Sequence, residues 1–457
     1  MWLLYQILMA AALVLAAPWV LARRGRLALE VARRRLLGDG ADGGGQPRSL
    51  WVHAVSVGEV GVADTLIRAL PVDLPVVLTT VTPTGQELAR RRCGERARVT
   101  YLPFDLRRPM ESFLERFEPR GLVAVEGDLW PLALRLAKRR RLPVVVVNGR
   151  VGDRSFRRMS RLKPLLGPLL KPVDHFATQS DRDRQRLEEL GVHPARITVT
   201  GNLKFDTPEP PRLEGLERAI RDLAAGRPVL LAGSTMDGEE ELVLRAFRDA
   251  GGGEAALLIL APRHPERFEE VARLIESSGL SLARRSTDVA AELVSAAIVN
   301  RGEPTAETSS AATRIVEEGP HVLLLDSLGE LASLYRVAHA AFIGGTLVPT
   351  GGHNPLEAMR FGVPVAAGPS MFNFHAIAET LDNEACWQRV PDAATLAATW
   401  REWLRAPDLA RKLGERGRNL VRRSQGALER TVAVLSPLLE EPREPRAGAA
   451  NSEGARP

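Results

Sequence analysis

Residues 50–70 read LWVHAVSVGEVGVADTLIRAL and join a short apolar run to an amphipathic stretch. The run LWVHAV is typical of a buried strand, and VADTLIRAL has the spacing of a helix. A strand that ends near Gly58 and turns into a helix places Glu59 at the carboxyl edge of a sheet, where open α/β sheets bind ligands. Glu59 is therefore either a reactive carboxylate or only an acid in the first turn of a helix.

The same alternation of apolar runs and helical stretches continues on both sides of the proline-rich segment TPEPPRLEGLE at 207–217. The runs before it are LWVHAV, PVVLTT, GLVAVE, LPVVVVN and HFATQS, and those after it are PVLLAGS, AALLILAPR, HVLLLDS, AAFIGGT and VPVAAGP. Continuous apolar strands between helices indicate parallel sheets that are covered on both faces.

The sequence thus predicts two doubly wound, Rossmann-like α/β domains that face a cleft, as in GT-B glycosyltransferases. We expect them at 23–206 and 218–440, joined by a linker at 207–217, with the last helices able to pack back on the first domain. Residues 301–320 are expected to form a surface insertion and 441–457 a disordered tail. Dehydrogenases and periplasmic binding proteins share the alternation. No GxGxxG follows the first strand, so a dinucleotide site is unsupported, and the cytoplasmic orientation expected below argues against a periplasmic binding protein.

Residues 2–22, WLLYQILMAAALVLAAPWVLA, depart from apolar composition only at Gln6 and Pro18. About 20 apolar residues span a bilayer as a helix. Arginines follow from Arg23, and neither Lys nor Arg precedes the run, so we expect an anchor helix at 1–22 with the body in the cytoplasm. A cleaved signal peptide would need a basic start. A helix that lies in the membrane interface is the remaining alternative.

The composition limits the possible partners and cofactors. The net charge is +6, which suits acidic lipid or a phosphorylated substrate, and no basic-aromatic or zinc-finger pattern supports nucleic acid. The two cysteines, Cys93 and Cys386, lack metal-ligand spacing and fit a reducing compartment. No Asp-x-Asp pair suggests a metal. We predict an enzyme with neither a metal nor a cofactor.

Charged residues follow predicted strands at three places in the first half. Glu59 ends SVGE, Glu126 and Asp128 lie in VEGDLWP, and Lys204 and Asp206 lie in TGNLKFD. Because the carboxyl ends of parallel strands meet at one edge of a sheet, these side chains are candidates for chemistry.

The second half contains the segment GGTLVPTGGHNPLEAMRFGVPV at 344–365. Gly351 and Gly352 give backbone freedom close to a ligand. Asn354 precedes Pro355, which suits the first turn of a helix whose N–H groups would face a phosphate. The alternative is a capped helix with Asn354 as N-cap and Glu357 three residues on.

Two further strand-end segments belong to this half. LAPRHPERF carries Pro262 and Arg263, and an arginine at that position can pair with phosphate. DSLGELASLY carries Leu328, Gly329 and Glu330, which alone indicate only the start of a helix.

Taken in order, the motifs SVGE, TTVTPTG, LPFDL, EGDLWP, TGNLKFD, PRHPERF, GELASLY and GGTLVPTGGHNPLE resemble those of the 3-deoxy-D-manno-octulosonic acid (Kdo) transferases. The resemblance extends from the N-terminal apolar run to about Ser424. It implies a GT-B fold, a membrane-bound N-terminal helix and a catalytic face on the cytoplasmic side of the inner membrane of a Gram-negative bacterium. Kdo would pass from CMP-Kdo to the 6′-hydroxyl of the lipid A precursor lipid IV-A, with inversion and release of CMP.

The resemblance also assigns roles to residues. Glu59 matches the general base, and Glu126 and Lys204 match positions that stabilise the transition state. The segments that match CMP-binding positions contain Pro262, Arg263, Leu328, Gly329, Glu330, Asn354, Pro355, Leu356 and Glu357.

The chain departs from the family pattern at two places. STMDGEE places Met236 where the family often has histidine, and RRRLLG replaces the usual Glu-Arg motif after the membrane helix. A different GT-B enzyme that uses another nucleotide sugar is the alternative function, and a non-enzymatic membrane adaptor is a second.

Overall fold

The computed structural model describes residues 2–37, 48–289 and 320–439. Two compact units divide the chain, one formed by residues 1–208 and 424–457 and the other by residues 209–423. The predicted tail at 441–457 and residues 301–319 of the predicted insertion lie outside the described residues.

The first unit is a parallel sheet with helices on both faces. Its strands are β1 (Leu50–His53), β2 (Val76–Thr80), β3 (Arg98–Tyr101), β4 (Gly121–Val125), β5 (Val144–Gly149), β6 (His175–Thr178) and β7 (Ile197–Val199). Its helices are α1 (Trp2–Leu37), α2 (Val57–Ala69), α3 (Pro83–Cys93), α4 (Arg107–Phe117), α5 (Pro131–Arg139), α6 (Asp153–Arg161), α7 (Gly167–Leu170), α8 (Asp181–Glu189) and α18 (Ala427–Leu439).

Alternate residues of the central strands pack into two different cores. Trp51, Leu122 and Val144 face one apolar cluster, and Leu50 and Val123 face the other. Both faces of the sheet are therefore buried, which explains why the central strands are apolar without a break. The strand order is β3-β2-β1-β4-β5-β6-β7, with parallel pairing throughout.

The second unit repeats this architecture. Its strands are β8 (Val229–Thr235), β9 (Leu257–Pro262), β10 (Leu282–Arg284), β11 (Val322–Leu324), β12 (Ala340–Ile343), β13 (Val365–Ala367) and β14 (Gln388–Arg389). Its helices are α9 (Glu214–Ala224), α10 (Glu240–Asp249), α11 (Gly252–Ala255), α12 (Phe268–Ser277), α13 (Leu331–Leu334), α14 (Leu356–Met359), α15 (His375–Asn383), α16 (Ala393–Arg405) and α17 (Pro407–Arg423). The order β10-β11-β9-β8-β12-β13-β14 is again parallel. The prediction of two parallel α/β sheets is confirmed.

The segment predicted as a linker, 207–217, is partly ordered into the second unit. Helix α9 begins at Glu214, and Arg336 pairs with Glu209 at 2.7 Å and donates to the carbonyl of Pro210. The last helix, α18, belongs to the first unit, where Leu435 lies in the core. The second unit therefore ends earlier than the predicted range 218–440, because α18 buries its apolar face against the first sheet.

Helix α1 is interrupted at Gly25, whose φ of 53° is not helical. Its start contacts the rest of the first unit: the Tyr5 hydroxyl donates to Asp105 at 2.7 Å, and the Arg135 guanidinium lies 4.4 Å from the Trp2 ring centroid. Over residues 2–37, 48–289 and 320–439, none of the helices combines the length and apolar character needed to cross a bilayer.

Candidate functional site

The strand order of the first unit points to one place for a ligand. The connection after β1 leads to β2 on one side, and β4 lies on the other side of β1, so the loops after β1 and β4 separate at the carboxyl edge. Ligands of open α/β sheets bind at such a switch point. Glu59 follows β1 and Glu126 follows β4, which brings two predicted site residues to this edge.

Glu59 lies in the first turn of α2 and is only 8% exposed. Its Oε2 accepts from the backbone N–H of Val55 at 2.8 Å, and its Oε1 accepts from the Ser56 hydroxyl at 2.8 Å. Ser56 is also the N-cap, since its Oγ accepts from the Glu59 N–H. Glu59 therefore does take part in capping the helix.

Capping does not account for the electrostatics of Glu59. The pKa of its carboxyl is raised from 4.5 to about 7, mainly by burial and also by the nearby charges of Asp128 and Glu126, despite the hydrogen bonds from Val55 and Ser56. An exposed acid in the first turn of a helix would keep an ordinary pKa. The Glu59 side chain is thus able to exchange a proton near neutral pH.

Glu126 and Lys204 meet at the same edge. Glu126 has φ +59° and is followed by Gly127 at φ +113°, a conformation that turns the loop directly after β4. Lys204 lies on a short 3-10 helix, Leu203–Asp206, and its Nζ is 2.9 Å from Glu126 Oε1. A Cβ added to Gly58 would lie 3.9 Å from Lys204 Nζ, so Lys204 also approaches the start of α2. The three predicted catalytic residues are therefore neighbours.

Asp206, from the same motif as Lys204, has a structural role. Its carboxylate accepts from the backbone N–H groups of Gly426 and Leu428 at 2.8 and 2.6 Å. It therefore caps α18 and fixes the last helix to the segment that carries Lys204.

In the second unit, the switch point lies between β8 and β12, and Glu239 fills it. The Glu239 carboxylate accepts from four backbone N–H groups. They are those of Met236 at 3.2 Å, Gly345 at 2.6 Å, and Thr346 and Leu347 at 2.9 Å each. Burial raises its pKa in spite of these bonds. Sequence reasoning missed Glu239, because in STMDGEE it resembles an ordinary acid at the start of a helix.

The segment after β9 presents an exposed arginine. Pro262 is the last residue of the strand and is buried, whereas the Arg263 side chain is exposed. His353 lies near Arg263: burial, together with the charges of Arg263 and His264, lowers the His353 pKa to about 4. His353 is a second residue that the predicted site did not include.

The segment Leu328–Glu330 has mixed exposure. Leu328 is 63% exposed, and Gly329 has φ +88°. Glu330 accepts from Ser327 and pairs with Arg285 at 2.8 Å, so its carboxylate is already engaged within the second unit.

The predicted helix start at Asn354 and Pro355 is confirmed in position. Asn354 Oδ1 accepts from the Leu356 N–H at 3.1 Å, and its Nδ2 donates to Glu357 at 3.4 Å, but the N-cap position of α14 is Pro355 and not Asn354. Helix α14 has only four residues, and the binding of a phosphate by the N–H groups at its start stays a prediction. The Leu356 side chain is 2% exposed and belongs to the core.

The adjacent glycines have a packing reason. Gly351 and Gly352 have φ of +94° and +71°. A Cβ on Gly351 would lie 2.4 Å from Asn373 Nδ2, and one on Gly352 would lie 2.5 Å from Met371 Sδ. The glycines are therefore needed for the close approach of this loop to its own unit, and their predicted role beside a ligand stays a prediction.

The described residues were also compared with the arrangement that a metal site requires. Among the residues that the structure describes, no group of three or more His, Cys, Asp or Glu side chains has the arrangement of metal ligands.

Comparison with known proteins identifies the family to which the chain belongs. Residues 28–207 match the family model described as 3-deoxy-D-manno-octulosonic-acid transferase (kdotransferase). The chain is 34% identical to the 3-deoxy-D-manno-octulosonic acid transferase of Bordetella pertussis, over 84% of this chain and 86% of that one. It belongs to the Kdo transferase family.

A second relative gives the same result. The 3-deoxy-D-manno-octulosonic acid transferase of Haemophilus influenzae is 32% identical over 86% of this chain and 88% of that one. Among solved structures, a glycosyltransferase from Rickettsia africae shares the fold, with a TM-score of 0.51, 14% identity and coverage of 86% of this chain and 100% of that one. The resemblance predicted from the motifs is confirmed, and the activity of this Kdo transferase is that of a glycosyltransferase.

Proposed function

We propose that this Kdo transferase moves Kdo from CMP-Kdo to lipid IV-A, with inversion at the anomeric carbon and release of CMP. The observation that carries the proposal is the group formed by the buried Glu59 and the Glu126–Lys204 ion pair. Family membership supports the sugar that is transferred. The donor nucleotide and the lipid acceptor are the finer parts of the proposal.

Glu59 would act as the general base. Its oxygen takes the proton of the acceptor hydroxyl, the hydroxyl oxygen bonds to the anomeric carbon, and the bond from that carbon to the phosphate oxygen breaks. CMP leaves with the bonding electrons. A carboxyl with a pKa of about 7 is ionised in about half of the molecules at neutral pH, and it is a stronger base than an ordinary glutamate.

Glu126 and Lys204 would stabilise charge as the reaction proceeds. The ammonium group favours negative charge on the donor, and the carboxylate both holds that ammonium and favours positive charge at the sugar ring.

The second unit would bind the donor. Arg263 is exposed beside the neutral His353, and an exposed guanidinium can form two hydrogen bonds to a phosphate. Pro262, Leu328 to Glu330 and Asn354 to Glu357 would complete the CMP site, with Leu356 acting through its backbone.

Membrane attachment through α1 is part of the proposal. Six large apolar side chains of this helix are 55–80% exposed and recur with helical spacing: Leu3, Leu4, Ile7, Leu8, Val14 and Leu15. A helical stripe of this kind favours contact with lipid. It would hold the first unit at the cytoplasmic side of the inner membrane, where a lipid acceptor is available.

The test is a nucleotide-release assay on the purified full-length chain in lipid or detergent. We expect CMP to be released from CMP-Kdo only when lipid IV-A is present, with Glu59→Gln as the inactive control. Release of UDP from a UDP-sugar under the same conditions, with CMP-Kdo left intact, would support the alternative donor and contradict the proposal.

A further inference from the structure

Asn148 is a buried amide that contacts Glu126 and the backbone next to Lys204. It lies near the end of β5 and has no exposed surface. Its φ is +53°, and the pairing of β5 with β6 shifts register between Val146 and Gly149. Asparagine tolerates this left-handed conformation better than most residues do.

The two ends of the Asn148 amide bind different segments. Its Nδ2 donates to Glu126 Oε1 at 3.3 Å, and its Oδ1 accepts from the Leu203 N–H at 3.0 Å. The orientation follows from the partners, because a flipped amide would set its oxygen against a carboxylate and its N–H against a backbone donor. The same Oε1 of Glu126 is the atom that pairs with Lys204.

The backbone around Asn148 fixes the same arrangement. Gln179 donates to the Asn148 carbonyl at 2.9 Å, and Asn202 donates to Gln179 at 3.1 Å. Asn202 Oδ1 in turn accepts from the Lys204 N–H at 3.0 Å. On the other side, the Glu126 N–H donates to the carbonyl of Val147 at 2.9 Å. Asn148 is thus at the centre of a network that joins the loop after β4 to the segment of Lys204.

We propose that Asn148 is a positioning residue for Kdo transfer: its amide donates to the Glu126 carboxylate and accepts from the backbone beside Lys204, and so it holds this ion pair in the orientation that the reaction uses. The proposal rests on the proposed function, since it gives Glu126 and Lys204 their roles. It adds a residue that touches neither substrate and that acts through both partners of the pair.

Asn148→Asp is the informative substitution. It keeps the size of the side chain, tolerates the same backbone and retains the oxygen that accepts from Leu203, but it replaces the donor to Glu126 by a second carboxylate oxygen. Glu126 faces this position directly and pairs with Lys204. The charges of Glu126 and Asp128 also act on Glu59. At low pH the introduced carboxyl can bind a proton and donate to Glu126 again.

The measurement is kcat for Kdo transfer by the full-length variant and the wild type across pH 5.5 to about 8.5, with the affinity for CMP and the melting temperature as checks. We expect the wild-type to variant ratio of kcat to be about tenfold or more at high pH and to fall as the pH is lowered, with little change in CMP affinity. Asn383→Asp, an exposed substitution of the same kind in the second unit, should give a ratio near one at every pH.

A wild-type to variant ratio of kcat that stays near one for Asn148→Asp would overturn the proposal. A ratio that is large but independent of pH would also overturn it, because protonation of the introduced carboxyl would not repair a structural defect. A wild-type protein without Kdo transfer would instead contradict the proposed function. The two failures are therefore distinguishable in one experiment.

Discussion

Glu59→Gln is expected to stabilise the folded protein at neutral pH while it removes transfer. Glu59 is 8% exposed, and its pKa is about 7 against an ordinary value of 4.5. The folded state thus binds the proton more tightly than the unfolded state does. Stability is therefore lost as the pH rises from the ordinary pKa through about 7, and no more is lost above that.

The size of the effect follows from the pKa difference. Each pKa unit corresponds to about 1.36 kcal/mol, so the ionised Glu59 costs about 3 kcal/mol of unfolding free energy at high pH. A glutamine does not ionise. Its Oε1 can accept from the Val55 N–H and its Nε2 can donate to the Ser56 hydroxyl, so the local geometry is kept.

The assay is thermal unfolding at pH 5 and about pH 8, together with turnover. The variant should melt at roughly 5–10 °C above the wild type at the higher pH, with a much smaller difference at pH 5. Its turnover should fall by at least about a hundredfold. Glu87→Gln, at an exposed position on α3, is the matched control and should change neither property. Equal stability of the Glu59 variant and the wild type at both pH values would refute the burial argument, and near-normal turnover would refute the base.

Three further substitutions test the rest of the site. Lys204→Met should leave Glu126 without this ion-pair partner and lower kcat by about a hundredfold or more with little change in CMP affinity; a normal kcat would remove Lys204 from the reaction. Arg263→Ala should weaken CMP binding by about tenfold or more in calorimetry, because a charged hydrogen bond contributes about 1.5–3 kcal/mol; unchanged affinity would exclude Arg263 from the donor site. Glu239→Ala should leave backbone N–H groups of the loop after β12 without their acceptor, and each such group should lower the free energy of unfolding by about 1–3 kcal/mol. The variant should therefore have a lower melting temperature and a lower affinity for CMP. An unaltered melting temperature would show that the loop does not depend on Glu239.

The strands that the sequence patterns identified lie inside the two sheets, and the strands that they missed lie at the sheet edges. The ten predicted apolar runs correspond to β1, β2, β4, β5, β6, β8, β9, β11, β12 and β13. Among the described residues, the strands without a predicted run are β3, β7, β10 and β14, which are the four edges of the two sheets. An edge strand pairs on one side only and is less buried, so its sequence, such as RVTY in β3, lacks a continuous apolar run.

The candidate site was predictable only in part. Glu59 and Glu126 follow buried strands, and their position at the carboxyl edge follows from the parallel order. The contact of Lys204 with Glu126 joins two residues that are far apart in the chain, and no local pattern in the sequence indicates it. Glu239 was missed for a similar reason, because its four backbone partners come mostly from a loop that lies more than a hundred residues further along the chain.

The most direct test of the central claim is mass spectrometry of the lipid after incubation of the purified full-length protein with CMP-Kdo and lipid IV-A. The account predicts lipid IV-A that is heavier by one or more Kdo residues, formed by the wild type and almost absent with Glu59→Gln. Unmodified lipid IV-A after complete incubation with an intact, folded wild-type protein would contradict it.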